Sequence, residues 1–326
     1  MITFIRSILA VIMSLLSIGF SGIFGDFTAE TKPLKEECRL NFATISDIHM
    51  TEETARRDML RFGLEDMEEF SSSLDALVLS GDLTDHGEEP EWEMLKEAFL
   101  PYTPAENIIM AQGNHDTWTE DDKYDLARTL FIKYNKEISG REIENEYYST
   151  KINGYTFIVL ASETDRTSAY MSDRQLEWLA DEMEKASQDG LPIFVICHWP
   201  LNQTHGLPVS WGDDDYDDMT GGMGEQSERI EKLLKKYDNV FLISGHIHAG
   251  LSNADTEAKT GYQSVESDGS FHSINLPRIN AIQGIGDFMI GYSYVFEVYE
   301  DRVECRARNF ALGTWAPKYN YTIELV

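Results

Sequence analysis

Cysteine is scarce in this chain, 3 residues of 326, at Cys38, Cys197 and Cys305. That scarcity excludes a scaffold stapled by disulfides. Cys197 stands inside an apolar run and reads as a small buried hydrophobe. Cys38 and Cys305 flank or occupy predicted strands and could pair in an exported chain, provided their Cα atoms approach within about 7 Å. Basic residues are short too, 27 Lys and Arg against 57 Asp and Glu, for a formal charge of −30. Such a surface repels polyanions, which argues against duplex nucleic acid and anionic lipid as partners and for simple solubility. Low-complexity tracts and internal repeats are missing as well. What is left is an ordinary globular composition, long enough for one large domain or two of usual size.

Charge is also missing from residues 7–25, which are rich in Ile, Leu, Val and Phe and follow a short start ending in Arg6. Small residues come next: Ser21, Gly22, Gly25 and Ala29. This is the pattern of a secretory signal peptide. The stretch is also near bilayer length, so an uncleaved N-terminal membrane anchor is the alternative. Either places the remainder outside the cytoplasm, secreted or in the cell envelope. Residues 26–37 are polar, contain Pro33 and lack periodicity, as a linker does. Residues 38–326 then form the functional domain.

Short apolar runs alternate with amphipathic stretches through most of that domain. Strands are expected at 40–46, 74–80, 107–111, 155–161, 193–197 and 239–244, most of them near-continuous apolar runs suited to burial on both faces. Helical spacing covers 53–70 (Leu60, Leu64, Met67), the stretch holding Trp92, Leu95 and Phe99, and 121–138. Ser172-Asp173-Arg174-Gln175 is a capping-box pattern heading a helix with Leu176, Leu179 and Met183 on one face. Ile230, Leu233, Leu234 and Tyr237 mark another. From about 262 onward the texture becomes strand-rich: 262–276 and 293–310 alternate like antiparallel strands, and 321–326 adds a terminal one. The fold class expected is α/β, two packed mixed β-sheets flanked by helices in four layers.

The strands end in unusual residues. Asp47 and His49 follow the first, Asp82 the second, Asn114 the third, His198 a later one, then His246 and His248. Carboxyl ends of strands in open α/β sheets converge on one crevice. Oxygen and nitrogen donors without thiolate suit a pair of borderline divalent or trivalent ions, not a structural zinc site. Asp82 can bridge two ions, and ions about 3.5–4 Å apart can hold a hydroxide nucleophile and clamp an in-line phosphoryl displacement.

The set Asp47-x-His49, Gly81-Asp82, Gly113-Asn114-His115-Asp116, His198 and Gly245-His246-x-His248, each behind an apolar strand, resembles the calcineurin-like metallophosphoesterase family over residues 40–310. The resemblance implies one metal held by Asp47, His49, Asp82 and His248, and a second by Asp82, Asn114, His198 and His246. The ligand types admit Mn, Fe, Zn or Ni. It further implies that His115 contacts the phosphate and protonates the leaving oxygen, with Asp116 orienting its ring. Purple acid phosphatases carry a tyrosine ligand shortly after the bridging aspartate; here Leu83, Thr84 and Asp85 follow. The run from Gly81 to Glu88 instead resembles the branch of cyclic-nucleotide and glycerophospho phosphodiesterases. The implied activity is hydrolysis of small phosphodiesters or phosphomonoesters. A nuclease and a non-catalytic metal-binding scaffold are the alternatives; acidity speaks against the first and the complete motif set against the second.

Other residues carry weaker signals. His86 and His205 could face substrate but read as solvated loop histidines, and His272 reads as a sheet residue. Asp213–Asp218, interrupted by Tyr216, could coordinate Ca²⁺ through its carboxylates, but it lacks EF-hand spacing and reads as an acidic loop bordering the crevice. Trp199, Trp211 and Tyr216 could stack on a base or sugar, or simply anchor that loop. Gly221, Gly222 and Gly224 could cradle phosphate or give flexibility at a helix entry. Arg278, after the last motif, could balance phosphate charge.

Overall fold

Alternate residues of the central strands face two different cores. In β1 (Leu40–Ile45), Leu40 and Phe42 point to one cluster, Ala43 and Ile45 to another. β2 (Ala76–Ser80) and β3 (Asn107–Ala111) repeat the division: Ala76, Val78, Ile109 and Ala111 on one side, Leu77, Leu79 and Met110 on the other. A strand buried on both faces needs a layer on each. Helices α1 (Thr54–Phe70), α2 (Glu89–Phe99) and α3 (Tyr124–Ser139) cover one side with Leu60, Leu64, Trp92, Leu95 and Phe131. A second sheet covers the other. The structure is a computed structural model describing residues 37–70, 74–118, 124–164, 168–206, 222–279 and 290–326.

The second sheet contains β4 (Tyr148–Ile152), β5 (Tyr155–Val159), β6 (Ile193–Ile196) and β7 (Val240–Ser244). Its outer face packs on α4 (Asp173–Ser187) and α5 (Ser227–Leu234) through Leu176, Leu179, Met183, Ile230 and Leu234. The sheets meet through aromatics. Phe42 of β1 lies 5.3 Å from Phe157 and 4.9 Å from Phe194, ring centroid to centroid. Each such buried side chain contributes about 1.5–3 kcal/mol by leaving water. The result is the expected four-layer α/β sandwich of two mixed sheets.

The chain returns to its first sheet at the end. After α6 (Ala254–Thr260) come β8 (Val265–Asp268) and β9 (Phe271–Asn275), then β10 (Tyr292–Val298), β11 (Arg302–Asn309), β12 (Thr314–Trp315) and β13 (Tyr321–Glu324). The orders are β12-β11-β10-β1-β2-β3, with β13 pairing β11, and β4-β5-β6-β7-β9-β8. The 262–276 stretch is only half antiparallel as expected. β8 and β9 form such a pair, but β9 runs parallel to β7 because α6 lies on the crossover between them.

Two local differences have physical causes. Strand β4 is absent from the expected elements, because Ser149 and Thr150 are only partly covered, Lys151 is exposed, and all three weaken the apolar signal. It is secured from outside: the Tyr148 hydroxyl accepts from the Met110 N–H and donates to the Met110 carbonyl. At α4, Ser172 accepts from the Gln175 N–H as a capping box requires, but the Gln175 side chain bonds the backbone of Ala161 instead of returning.

Cys38, Cys197 and Cys305 are free thiols. Cys305 is buried in the inter-sheet core, and the Cys38 thiol turns to the Leu40 carbonyl. The expected leader or anchor at 1–25, the linker up to residue 36, Trp211, the run 213–218 with Tyr216, and Gly221 lie outside the described residues. Among the described residues no helix is long and apolar enough to cross a membrane.

Candidate metal centre

Past their last hydrogen-bonded residues, the strands at the middle of both sheets stay stitched together. The N–H groups of Asp47 and His49 donate to the carbonyls of Gly81 and Asp82 at 3.0 and 2.9 Å, and that of Gly245 to His198 at 2.9 Å. Holding these loops so close forces unusual backbone. Asp47, His49, Asp82, His246 and His248 have φ of 56°, 46°, 49°, 70° and 55°. A non-glycine residue in this region costs of order 1–3 kcal/mol and tends to occur where function over-determines the backbone.

Two donor sets share one carboxylate, and a third group, His49, Asp85 and His115, borders the first. In the first, Asp47, His49, Asp82 and His248 bring their donor atoms within 4.8 Å of one another. Nε2 of His49 faces Nε2 of His248 at 3.1 Å, and the latter lies 3.0 Å from Asp47 Oδ1. In the second, Asp82, His198 and His246 meet the same 4.8 Å limit, with His198 Nε2 3.3 Å from His246 Nδ1. Asp82 Oδ2 stands between the sets, 3.6 Å from His49 Nε2 and 3.2 Å from His198 Nε2. One carboxylate so placed can bridge two cations.

The donors fit metal ions on their own chemistry. Nδ1–H of His198 donates to the Ser80 carbonyl at 2.8 Å, and Nδ1–H of His49 to Asp85 Oδ1 at 3.0 Å. With Nδ1–H so engaged, each ring can offer Nε2 to an ion facing the cluster, His198 after giving up its Nε2 proton. Asn114 Oδ1 is buried without a hydrogen-bond partner among the described residues, a costly state that a cation would relieve. Burial alone would raise the carboxyl groups of Asp47 and Asp82, yet the imidazoles around them hold both well below the ordinary range. Burial also opposes charge on His198, but Asp82 and then Asp47 outweigh it and lift the ring to about 9. Burial is the main reason His49 falls to about 4 and His246 to about 3. Two anionic carboxylates among mostly neutral rings are short of positive charge. Metal ions would supply it.

A family model described as calcineurin-like phosphoesterase matches residues 40–250, a span that holds every one of these donors. The chain belongs to the calcineurin-like phosphoesterase family. It is 27% identical over 177 residues to a probable cyclic nucleotide phosphodiesterase of Rhodococcus erythropolis, covering 53% of this chain and 51% of that one. It is 25% identical over 175 residues to a probable glycerophosphodiester phosphodiesterase of Arcobacter nitrofigilis, covering 53% and 56%. The chain thus spans about half the length of these curated relatives. A dimetal phosphatase from Danio rerio shares the fold, with a TM-score of 0.61 at 12% identity over 89% of this chain and 100% of that one.

In this calcineurin-like phosphoesterase the residues of Gly113-Asn114-His115-Asp116 part company. The His115 N–H donates to Asp82 Oδ1 at 2.9 Å, and its ring Nδ1–H donates to the Asp85 carbonyl at 2.7 Å. Asp116 does not orient that ring, contrary to expectation. Its carboxylate accepts from the N–H groups of Leu83, Thr84 and Gly113 and from the Thr84 hydroxyl. Those donors saturate it and pin the loop after β2 to the turn after β3. Burial, then the nearby Asp82, raise Asp116 to about 6.

Orientation falls to Asp85, which sequence reasoning passed over although it stands three positions beyond Asp82. Its carbonyl holds His115 and its carboxylate holds His49. Burial opposes the ionised form, but His49 and Arg56 keep Asp85 below the ordinary range. Arg56, in the first turn of α1, donates from Nη1 to both Asp85 Oδ1 (2.9 Å) and the His49 carbonyl (2.7 Å). No local signal marks that arginine.

Gly113 has no room for a side chain. A Cβ there would lie 2.2 Å from Asp82 Oδ1 and 2.3 Å from the Asp82 nitrogen. Gly113→Ala should therefore push the shared carboxylate aside, and a displacement near 1 Å can cost about 100-fold in rate. We expect such a loss in kcat/KM together with reduced manganese content by elemental analysis. Unchanged metal content and turnover would show that the loop yields freely.

The remaining candidates sort by burial. His205 is fully buried, not solvated: Nδ1 lies 2.8 Å from the Gln263 carbonyl and Nε2 3.2 Å from the Ser273 hydroxyl. His86 is exposed beside Glu91, and His272 is a buried residue of β9. Trp199 is buried with its ring against His198, so it anchors. The carbonyls of Gly222 and Gly224 accept from Ala169 and Asn202, joining loops. Arg278 is half-buried, its backbone bridged to that of Ser46; burial lowers its pKa, with Asp47 opposing that shift and Arg56 adding to it.

Proposed function

We propose that this phosphoesterase is a metal-dependent hydrolase of small phosphodiesters or phosphomonoesters that works outside the cytoplasm. The observation that carries the reading is Asp82 Oδ2, set 3.6 Å and 3.2 Å from a ring nitrogen of each donor set. Asp47, His49, Asp82 and His248 would hold one ion; Asp82, Asn114, His198 and His246 would hold the other. When bound, the ions supply Lewis-acid charge to the phosphate oxygens and to the attacking water. His115 gives its Nε2 proton to the leaving oxygen, with the Asp85 carbonyl fixing the ring at Nδ1. The backbone N–H of His115 holds Asp82 in place. Relatives named as cyclic nucleotide and glycerophosphodiester phosphodiesterases support a small diester as substrate. The uncharged stretch at 7–25 supports export or envelope anchoring.

The test is reconstitution. Metal-stripped protein should not hydrolyse bis(p-nitrophenyl) phosphate, and added Mn²⁺ should restore turnover and raise the melting temperature together, because an ion that binds the folded state alone stabilises it. Turnover indifferent to chelation would overturn the proposal. A panel of cyclic nucleotides, glycerophosphodiesters, nucleotides and monoesters then names the substrate.

A further inference from the structure

Among the described residues, the large hydrophobic side chains left in water are Leu100, Trp118, Leu126, Tyr170 and Val326. Single exposed apolar residues need no explanation, but Trp118 has a particular neighbour. Its indole is 57% exposed and lies 5.3 Å from the His115 ring at an interplanar angle of 65°. The His115 ring in turn lies 4.4 Å from that of His49. The three rings therefore lead outward from a metal-ligand candidate, through the proton donor, to an aromatic in solvent.

The backbone under that indole is well held. The Trp118 N–H donates to the His115 carbonyl, and the Thr117 hydroxyl to the Asn114 carbonyl at 2.9 Å. Among the described residues the side chain has no comparable cover. A rigid base with an open aromatic surface suits stacking, because little ordering remains to be done when a flat ring arrives.

We propose that Trp118 is a specificity-determining residue that stacks a flat, base-bearing leaving group, so that the preferred diesters are nucleotide-like. The proposal rests on the phosphoesterase reading above, since it is the proton delivered by His115 that places the leaving group on this side. A leaving oxygen within reach of His115 puts the group it carries beside the next ring outward, which is Trp118. Stacking tolerates any base, since each has a π-face. A glycerol-type leaving group gains nothing there.

With manganese-loaded protein, Trp118→Ala should lower the ratio of kcat/KM for a 3′,5′-cyclic nucleotide to kcat/KM for glycerophosphocholine about 10- to 100-fold, the range of one lost stack. The loss should fall on KM, and Trp118→Phe should recover most of it. An unchanged ratio, or a loss confined to kcat, would overturn the assignment. Binding of adenosine 5′-monophosphate, measured by calorimetry, separates this from the parent reading. If wild type turns over neither ester, the phosphoesterase reading fails. Weaker binding by the alanine variant still supports the stack, while equal binding, or none by wild type, sinks it.

Discussion

Asp82→Ala should fold, lose the metal-dependent rise in melting temperature, and lose more than about 100-fold in kcat/KM. The floor comes from comparison: removing only an outer partner of a metal ligand typically costs about 10- to 100-fold. Asp82 faces both donor sets with one oxygen, and its other oxygen accepts the His115 N–H at 2.9 Å. One substitution therefore removes a donor from each site and loosens the turn that carries the proton donor. Asp82→Asn keeps the acceptor for His115 and removes only the charge. Without metal, the neutral variant should melt lower than wild type near neutral pH, because the buried imidazoles that hold the Asp82 carboxyl below its ordinary range, His198 first, lose their counter-charge. Calorimetry with and without Mn²⁺ reads both effects. A metal-stabilised Asp82→Ala protein with wild-type turnover would show that the shared carboxylate is not the bridge.

His115→Ala should behave in the opposite way, keeping its metal and losing chemistry. His115 is outside both four-residue donor sets proposed above, and its ring is held by the Asp85 carbonyl. Positioned general acids contribute about 10²- to 10⁴-fold. The whole loss should appear with alkoxide leaving groups, whose developing charge must be neutralised as the bond breaks. It should be much smaller with p-nitrophenolate, which departs unaided. The comparison needs metal content measured on the same sample, so that a drop in activity is not mistaken for lost ions. Equal losses on both kinds of ester would remove His115 from the proton-transfer role.

His115 also marks where sequence reading stops. Its type, its place after an apolar strand, and its separation from the ligands were legible, and the structure brings it against the site. Its partner was not. Asp116 is the adjacent carboxylate, so proximity along the chain nominated it, but its oxygens are already taken by donors at Leu83, Thr84 and Gly113. The group that holds the ring is a main-chain carbonyl at Asp85, whose identity no side chain advertises. His205 failed as a solvated residue for a related reason. Its cover comes from Gln263 and Ser273, about sixty positions later in the chain.

What the sequence determined alone was the layer pattern and the chemistry at the strand ends. Two-sided apolar runs demand a cover on both faces, and the residues just past those runs are fixed by local order, so both can be read along the chain. Tertiary structure decided everything that depends on which loop meets which. Nε2 of His49 meets Nε2 of His248 across 199 positions, Arg56 reaches the Asp85 carboxylate, and β9 lies parallel to β7 instead of merely folding back on β8. Hydrogen bonds and lone pairs act over about 3 Å, a range that chain separation does not encode.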